Sequence, residues 1–196
     1  VDTTTDTHTT GIAAIGKGIV NIKNAGAMSV SATSTKGGQT GALFVNGGGT
    51  IQIHNAGADN VLTLRAKSTA SANAAVIKSM NGVNGVMSAI TVDGLVDVVA
   101  DKGNASGANE AISAVASKVE VGGGVIKAIN GAEYAIRAYG ESVSNNRGQV
   151  NVNVKKDAKG AVIGAGNKNV ELEGNVYLGG GMDNVGAKAD VSIGLN

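Results

Sequence analysis

Short aliphatic runs that recur along the chain, punctuated by Gly or Asn, constrain this sequence more than any other feature. Gly11-Ile12-Ala13-Ala14-Ile15, Gly41-Ala42-Leu43-Phe44-Val45, Ala74-Ala75-Val76-Ile77, Ala111-Ile112-Ser113-Ala114-Val115, Tyr134-Ala135-Ile136-Arg137-Ala138 and Ala161-Val162-Ile163-Gly164-Ala165 open successive segments. The intervals between them are 30, 33, 37, 23 and 27 residues, too irregular for a consensus repeat and suited to coils with variable loops. After most openings a second run alternates aliphatic and polar residues: Ile19–Ile22, Thr50–Ile53, Lys118–Val121, Val150–Val154 and Val170–Glu173. A third run often follows, as at Met28–Ser31, Val61–Leu64 and Leu95–Val99. Alternation with period two is the pattern of strands with one face inward. Gly and Asn interrupt every window before a 3.6-residue pattern completes three turns, which argues against helix.

Three strands per repeat predict an all-β chain, a right-handed parallel β-helix (β-solenoid) of about six irregular coils. An antiparallel sandwich or barrel would also alternate, with turns every roughly 8 to 12 residues. The recurring opening favours parallel coils, in which equivalent residues stack about 4.8 Å apart and like side chains lie on like. Asn24, Asn46, Asn55, Asn81 and Asn130 each lie beside Gly or one residue from it, where turns are expected.

Composition narrows the core. Aromatics make up 2% of the chain and Gly numbers 31, so Val, Ile, Leu and Ala must fill the interior. Thin stacked coils need no more, whereas a thick globular core normally collects large rings. Residues 1–10 are rich in Thr and Asp, with nothing apolar after Val1, and are expected to form a polar tail or cap. Residues 11–196 are expected to be the parallel β-helix. The 16 Lys and Arg are dispersed among 15 Asp and Glu, without the basic stripe and interleaved aromatics of a nucleic-acid surface. The absence of Cys removes disulfides and thiolate metal sites, and suits a chain that must stay unfolded while it is exported. No run approaches the roughly 18 apolar residues of a membrane helix, and the start lacks a leader pattern, so a processed or excised chain is expected.

The texture of residues 11–196, and Gly41–Asn73 above all with its Gly47-Gly48-Gly49-Thr50-Ile51-Gln52-Ile53-His54-Asn55 turn and strand, resembles the passenger regions of bacterial autotransporters. Two-partner secreted haemagglutinins share that texture. The resemblance implies a type V secretion passenger fragment, exported through an outer-membrane barrel that this sequence does not include, and located at the bacterial surface or outside the cell.

Several motifs have a plainer reading. Gly11–Gly18 looks like a phosphate loop up to Lys17, but Gly18 stands where a Ser or Thr would reach magnesium and a strand follows where a helix should. Gly179-Gly180-Gly181-Met182-Asp183 has the look of a calcium-binding nonapeptide, but occurs once and lacks the spacing. His8 and His54 are isolated, without clustered partners for a metal or a nucleophile for a triad. No cofactor is expected.

The function expected is a non-catalytic β-helical adhesin or stalk that attaches to a host or bacterial cell-surface protein or glycan, including self-association. Tyr134 and Tyr139 flank Arg137 and form the candidate recognition patch. The alternative is a polysaccharide lyase or glycoside hydrolase, for which Glu120, Glu171 and Glu173 are the candidate acids, with Glu120 expected two coils earlier on the strand equivalent to that of the other two. Asp93, Asp97 and Asp101 recur every four residues and are expected to scatter over solvated faces.

Overall fold

The alternating runs become parallel strands, and the register of those strands decides which side chains meet. The structure is a computed structural model that describes every residue except 7, 24–25, 37–38, 56, 58–59, 69–73, 84, 104–107, 141–146, 181–187 and 196. Among the described residues it is all-β, with no helix.

Three strand ladders recur in fixed order along the chain. The first is a six-stranded parallel sheet of β2 (Thr9–Ile15), β5 (Thr40–Asn46), β8 (Ala75–Met80), β10 (Glu110–Val115), β12 (Tyr134–Gly140) and β17 (Asn175–Gly180), each hydrogen-bonded to the next. The second runs from β3 (Ile19–Ile22) through β6 (Thr50–Ile53), the first part of β9 (Ala89–Asp101), the first part of β11 (Lys118–Ile129), β13 (Gly148–Val152) and β18 (Ala189–Ile193). The third contains β1 (Asp2–Thr5), β4 (Met28–Ser34), β7 (Val61–Ser68), the later parts of β9 and β11, and β16 (Val170–Glu173). Because β9 and β11 run through both, the second and third ladders belong to one sheet.

Each ladder turns aliphatic rows inward, and one row from each traces the core. In the first, Ile12, Leu43, Ile77, Ile112, Ile136 and Val176 are successive register partners. In the second the row is Val20, Ile51, Ile90, Val119, Val150 and Val191. In the third it is Val30, Leu64, Val98, Ile126 and Leu172. The middle members of all three rows belong to one buried cluster, against which Ile12, Val20, Leu172 and Val191 pack from the ends. Each fully buried Val, Leu or Ile contributes about 1.5–3 kcal/mol. A core filled by stacked Val, Leu, Ile and Ala accounts for a fold that uses few aromatic rings.

The corner between the second and third ladders is tight. At Gly124 the backbone φ is +109°, and a Cβ would sit 2.1 Å from the Val96 carbonyl oxygen, so only glycine fits. Two circuits earlier, Asn55 fills the corner between β6 and β7, and its Nδ2 donates to the carbonyl oxygens of Asn60 (3.4 Å) and Leu95 (3.3 Å). Asn81 and Asn130, expected at turns, adopt positive φ there, Asn46 ends β5, and Asn24 lies outside the described residues.

Two expectations fail in the last third of the chain. Ala161–Ala165 is not an opening of the first ladder: β15 (Val162–Ala165) pairs antiparallel with β14 (Val154–Lys156), and all four of its residues are exposed. Asp157 sets that hairpin, its Oδ1 accepting from the amides of Lys159 and Ala161 at 2.9 Å each. The sixth strand of the first ladder is β17 instead. Val170–Glu173 is likewise not a second-ladder strand, because Glu171 pairs with Val125 and Glu173 with Lys127, in the third ladder. At the other end, part of the Thr-rich segment 1–10 forms β1, which pairs with β4 at a sheet edge, and β2 begins at Thr9.

Candidate functional site

Alternation that turns Val and Ile inward on the second ladder turns a polar row outward. Asn21, Gln52, Thr91, Glu120, Asn151 and Ser192 are successive register partners across six strands. Neighbouring strands hold such residues about 4.8 Å apart, close enough to bond one another. Asn21 Nδ2 donates to Gln52 Oε1 at 3.4 Å, and Asn151 Nδ2 donates to Glu120 Oε1 at 3.0 Å. Glu120 Oε1 also contacts the ammonium groups of Lys118 (3.0 Å) and Lys156. Partial burial and the neighbouring Lys118 push the Lys156 ammonium down to about 8, so it stays mainly charged at neutral pH. Thr91, Glu120, Asn151 and Lys156 line a cavity of 280 Å³ in the middle of this face, with Asp93 and Lys168 at its margin.

The outer face of the first ladder gathers the aromatic residues. Phe44, Lys78, Ser113, Arg137 and Tyr177 are register partners on consecutive strands, and Tyr139 stands beside Val115, which neighbours Met80. The Arg137 guanidinium carbon lies 4.6 Å from the Tyr139 ring centre, 5.7 Å from Tyr134 and 5.9 Å from Tyr177. The Tyr134 and Tyr177 rings are 5.4 Å apart and tilted by 48°. Arg137 Nη1 pairs with Glu110 Oε1, whose residue is 5% exposed. The three residues read from the sequence therefore do meet, and sequence reading missed Lys78, Glu110 and Tyr177 beside them. Lys78 is only 9% exposed, and burial pushes its ammonium down from the ordinary lysine value. Lys78, Glu110, Ser113, Arg137 and Tyr139 line a cavity of 170 Å³, with Gln39 at its edge.

The candidate acids do not form one set. Glu120 faces Lys118 and Lys156 on the second ladder, whereas Glu171 and Glu173 on the third both engage Lys127, the latter at 3.5 Å. The hydrogen bond that the Lys127 ammonium donates to Glu171 raises the Lys127 pKa, so the three groups behave as an exposed ion-pair network. The expected equivalence of the Glu120 strand with that of Glu171 and Glu173 fails with the register of β16. Asp93, Asp97 and Asp101 bond to separate partners: His54, Arg65 and Asn130 respectively. His54 Nδ1 lies 2.7 Å from Asp93 Oδ2, and His8 Nδ1 accepts from the Gln39 amide at 3.0 Å. Among the described residues no group of three or more potential metal ligands forms. Gly11–Gly18 is most of β2 and the turn into β3. Of the nonapeptide-like stretch, Gly181–Asp183 lies outside the described residues.

Compared with known proteins, the chain matches no family model, no curated protein and no solved structure.

Proposed function

We propose that the three ladders are the walls of a right-handed parallel β-helix of about six irregular coils, and that the protein is a non-catalytic adhesin or stalk at the bacterial surface. The observation that carries this reading is the outward polar row from Asn21 to Ser192, held across six strands by an aliphatic row directly behind it. A surface of amides, hydroxyls and one carboxylate at fixed spacing suits weak contacts repeated along a partner, which add through effective concentration. The partner proposed is a glycan or protein of a host or neighbouring bacterial cell, a second copy on an adjacent cell included. Export by type V secretion, as an autotransporter passenger, is part of the proposal and rests on the resemblance of sequence texture.

Beads coated with the protein test this reading. They are expected to bind or aggregate cells, and replacing Gln52, Thr91, Glu120 and Asn151 together by Ala is expected to reduce attachment far more than any single replacement. Attachment that is unchanged by the fourfold variant, or absent from a panel of bacterial and host cells, would contradict it. Release of reducing ends or unsaturated sugars from a polysaccharide panel would contradict the non-catalytic reading.

A further inference from the structure

The β14–β15 hairpin lies against the outward polar row of the second ladder. Lys156 on β14 reaches Glu120 of the row. Val154 and Lys156, with residues 166–168 just after the hairpin, share the 280 Å³ cavity lined by Thr91, Glu120 and Asn151. A second cavity of 280 Å³ also takes in Asn151 and Lys156, and there Gly160 and Val162 of the hairpin stand over Gln149, Asp190 and Ser192.

Exposure along the row follows the hairpin. Gln52 and Asn151 hold equivalent positions, each with a paired strand on both sides, yet Gln52 is exposed and Asn151 is half-buried. The two end members differ in the same sense, Asn21 being exposed and Ser192 half-buried. Strand position does not set that difference, whereas the hairpin lies at the half-buried end of the row only.

The hairpin is anchored at one corner. Asn153, 4% exposed, accepts from the Lys168 amide through Oδ1 at 3.1 Å. Its Nδ2 donates to the carbonyl oxygens of Lys168 (2.6 Å) and Gly194 (2.9 Å). The chain therefore leaves and rejoins the coil at one fixed point, and the segment between can swing without disturbing β13 or β16. Among the described residues β14 and β15 pair only with each other, and all of β15 is exposed. A two-stranded hairpin without a core of its own is marginal, which puts it at the low end of local stability. When it moves away, Glu120 keeps the Lys118 ammonium (3.0 Å) and the Asn151 amide (3.0 Å), so the row stays ordered.

We infer that the hairpin of residues 154–165 is a hinged cover on the polar row. Closed, it denies a partner Glu120, Asn151 and Ser192 and leaves Asn21 and Gln52 open; lifting it about the Asn153 corner makes the whole row available. The inference rests on the adhesin reading and deepens it, because it makes attachment depend on a conformational step within the chain.

The test exploits the absence of Cys. Gln52→Cys and Asn151→Cys are labelled separately with a maleimide that carries a bulky polyethylene glycol chain, in the intact chain and in a variant with Gly-Gly in place of residues 155–164. In the intact chain residue 151 is expected to react at least tenfold more slowly than residue 52, and in the Gly-Gly variant within threefold of it. Hydrogen exchange of β13 and β16 checks that the coils of that variant are intact. Asp157→Ala, which removes an acceptor from the hairpin turn, should speed labelling at residue 151 at least threefold and leave residue 52 unchanged. On beads, the Gly-Gly variant should attach to cells at least threefold better than the parent. Equal rates at residues 52 and 151 of the intact chain, an unchanged rate at residue 151 in Asp157→Ala, or attachment by the parent that does not improve without the hairpin would each overturn the inference. Labelling needs no cells, so the two readings fail separately. Equal rates on a chain that attaches refute the cover alone, and the expected rates on a chain that attaches to no cell refute the adhesin reading alone.

Discussion

Two segments of nearly the same composition have opposite fates in this protein. Ala111-Ile112-Ser113-Ala114-Val115 is buried throughout as part of β10, whereas Ala161-Val162-Ile163-Gly164-Ala165 is exposed at every residue, and four of its five residues form β15. What separates them is their neighbours. β10 is hydrogen-bonded to β8 on one side and β12 on the other, with Ile112 aligned between Ile77 and Ile136. Among the described residues β15 pairs with β14 alone, joined through the Asp157 turn, and continues no aliphatic row. Strand propensity places a segment in a strand, but burial is decided by whether the preceding and following circuits present matching side chains at the same register.

The largest effect that would break this comparison is in the aliphatic rows. Ile112→Ala should destabilise the protein by about 2–5 kcal/mol, read as a lowered urea midpoint, while Ile163→Ala should stay within about 0.5 kcal/mol. Similar losses at the two sites would mean that β15 is packed after all. Next in size is the corner. Gly124→Ala should cost about 1–3 kcal/mol, since it forces a strained φ and meets the Val96 carbonyl. Gly164→Ala meets no atom within 4 Å and should leave thermal unfolding unchanged. Smaller still is Asp157→Ala. Removing an acceptor of two amides should loosen the hairpin by about 0.5–1.5 kcal/mol. Hydrogen exchange should rise in residues 154–165 while the amides of β10 keep their protection.

Much of the architecture was legible because the inward rows are chemically uniform. Ile51, Val119 and Val150 announce the second ladder without knowledge of loops, whereas Ile90, which the register sets between Ile51 and Val119, was not among the runs read from the sequence. The candidate site was legible only in part, for a reason of register. Aligning Ala111 with Tyr134 gives an interval of 23, whereas the strands pair Glu110 with Tyr134 and Ile112 with Ile136, an interval of 24. A slip of one residue turns each side chain to the other face, which hid Glu110 and Lys78 from the Arg137 patch. Alignment on the isoleucines would have found Lys78 and Ser113 beside Arg137. Register alone could not have shown that Glu171 and Glu173 belong with Lys127, because the hairpin of residues 154–165 interrupts the circuit before β16. The Asp157-Ala158-Lys159-Gly160 turn was the available signal for that interruption, with Gly160 at φ +83°.

The smallest effect concerns pH. The Lys156 ammonium is held at about 8 in the folded protein, below its unfolded value of about 10.4. Between those values the unfolded chain binds more protons than the folded one, so stability should rise as pH increases from about 8 to about 10.4. Lys156→Met should flatten that rise in urea titrations at several pH values. An unchanged slope would place Lys156 outside the partly buried contact with Glu120 and Lys118.

The register of the polar row is tested most directly by cysteine pairs, since the chain has no Cys of its own. Parallel partners lie about 4.8 Å apart, within the roughly 4.4–6.8 Å that a disulfide spans. Gln52→Cys with Thr91→Cys, and Thr91→Cys with Glu120→Cys, should each oxidise readily to an intramolecular disulfide in the folded protein. Glu120→Cys with Glu171→Cys should remain reduced under the same conditions, because those residues belong to different ladders. Failure of the first two pairs, or ready oxidation of the third, would contradict the six-strand row on which the proposed function rests.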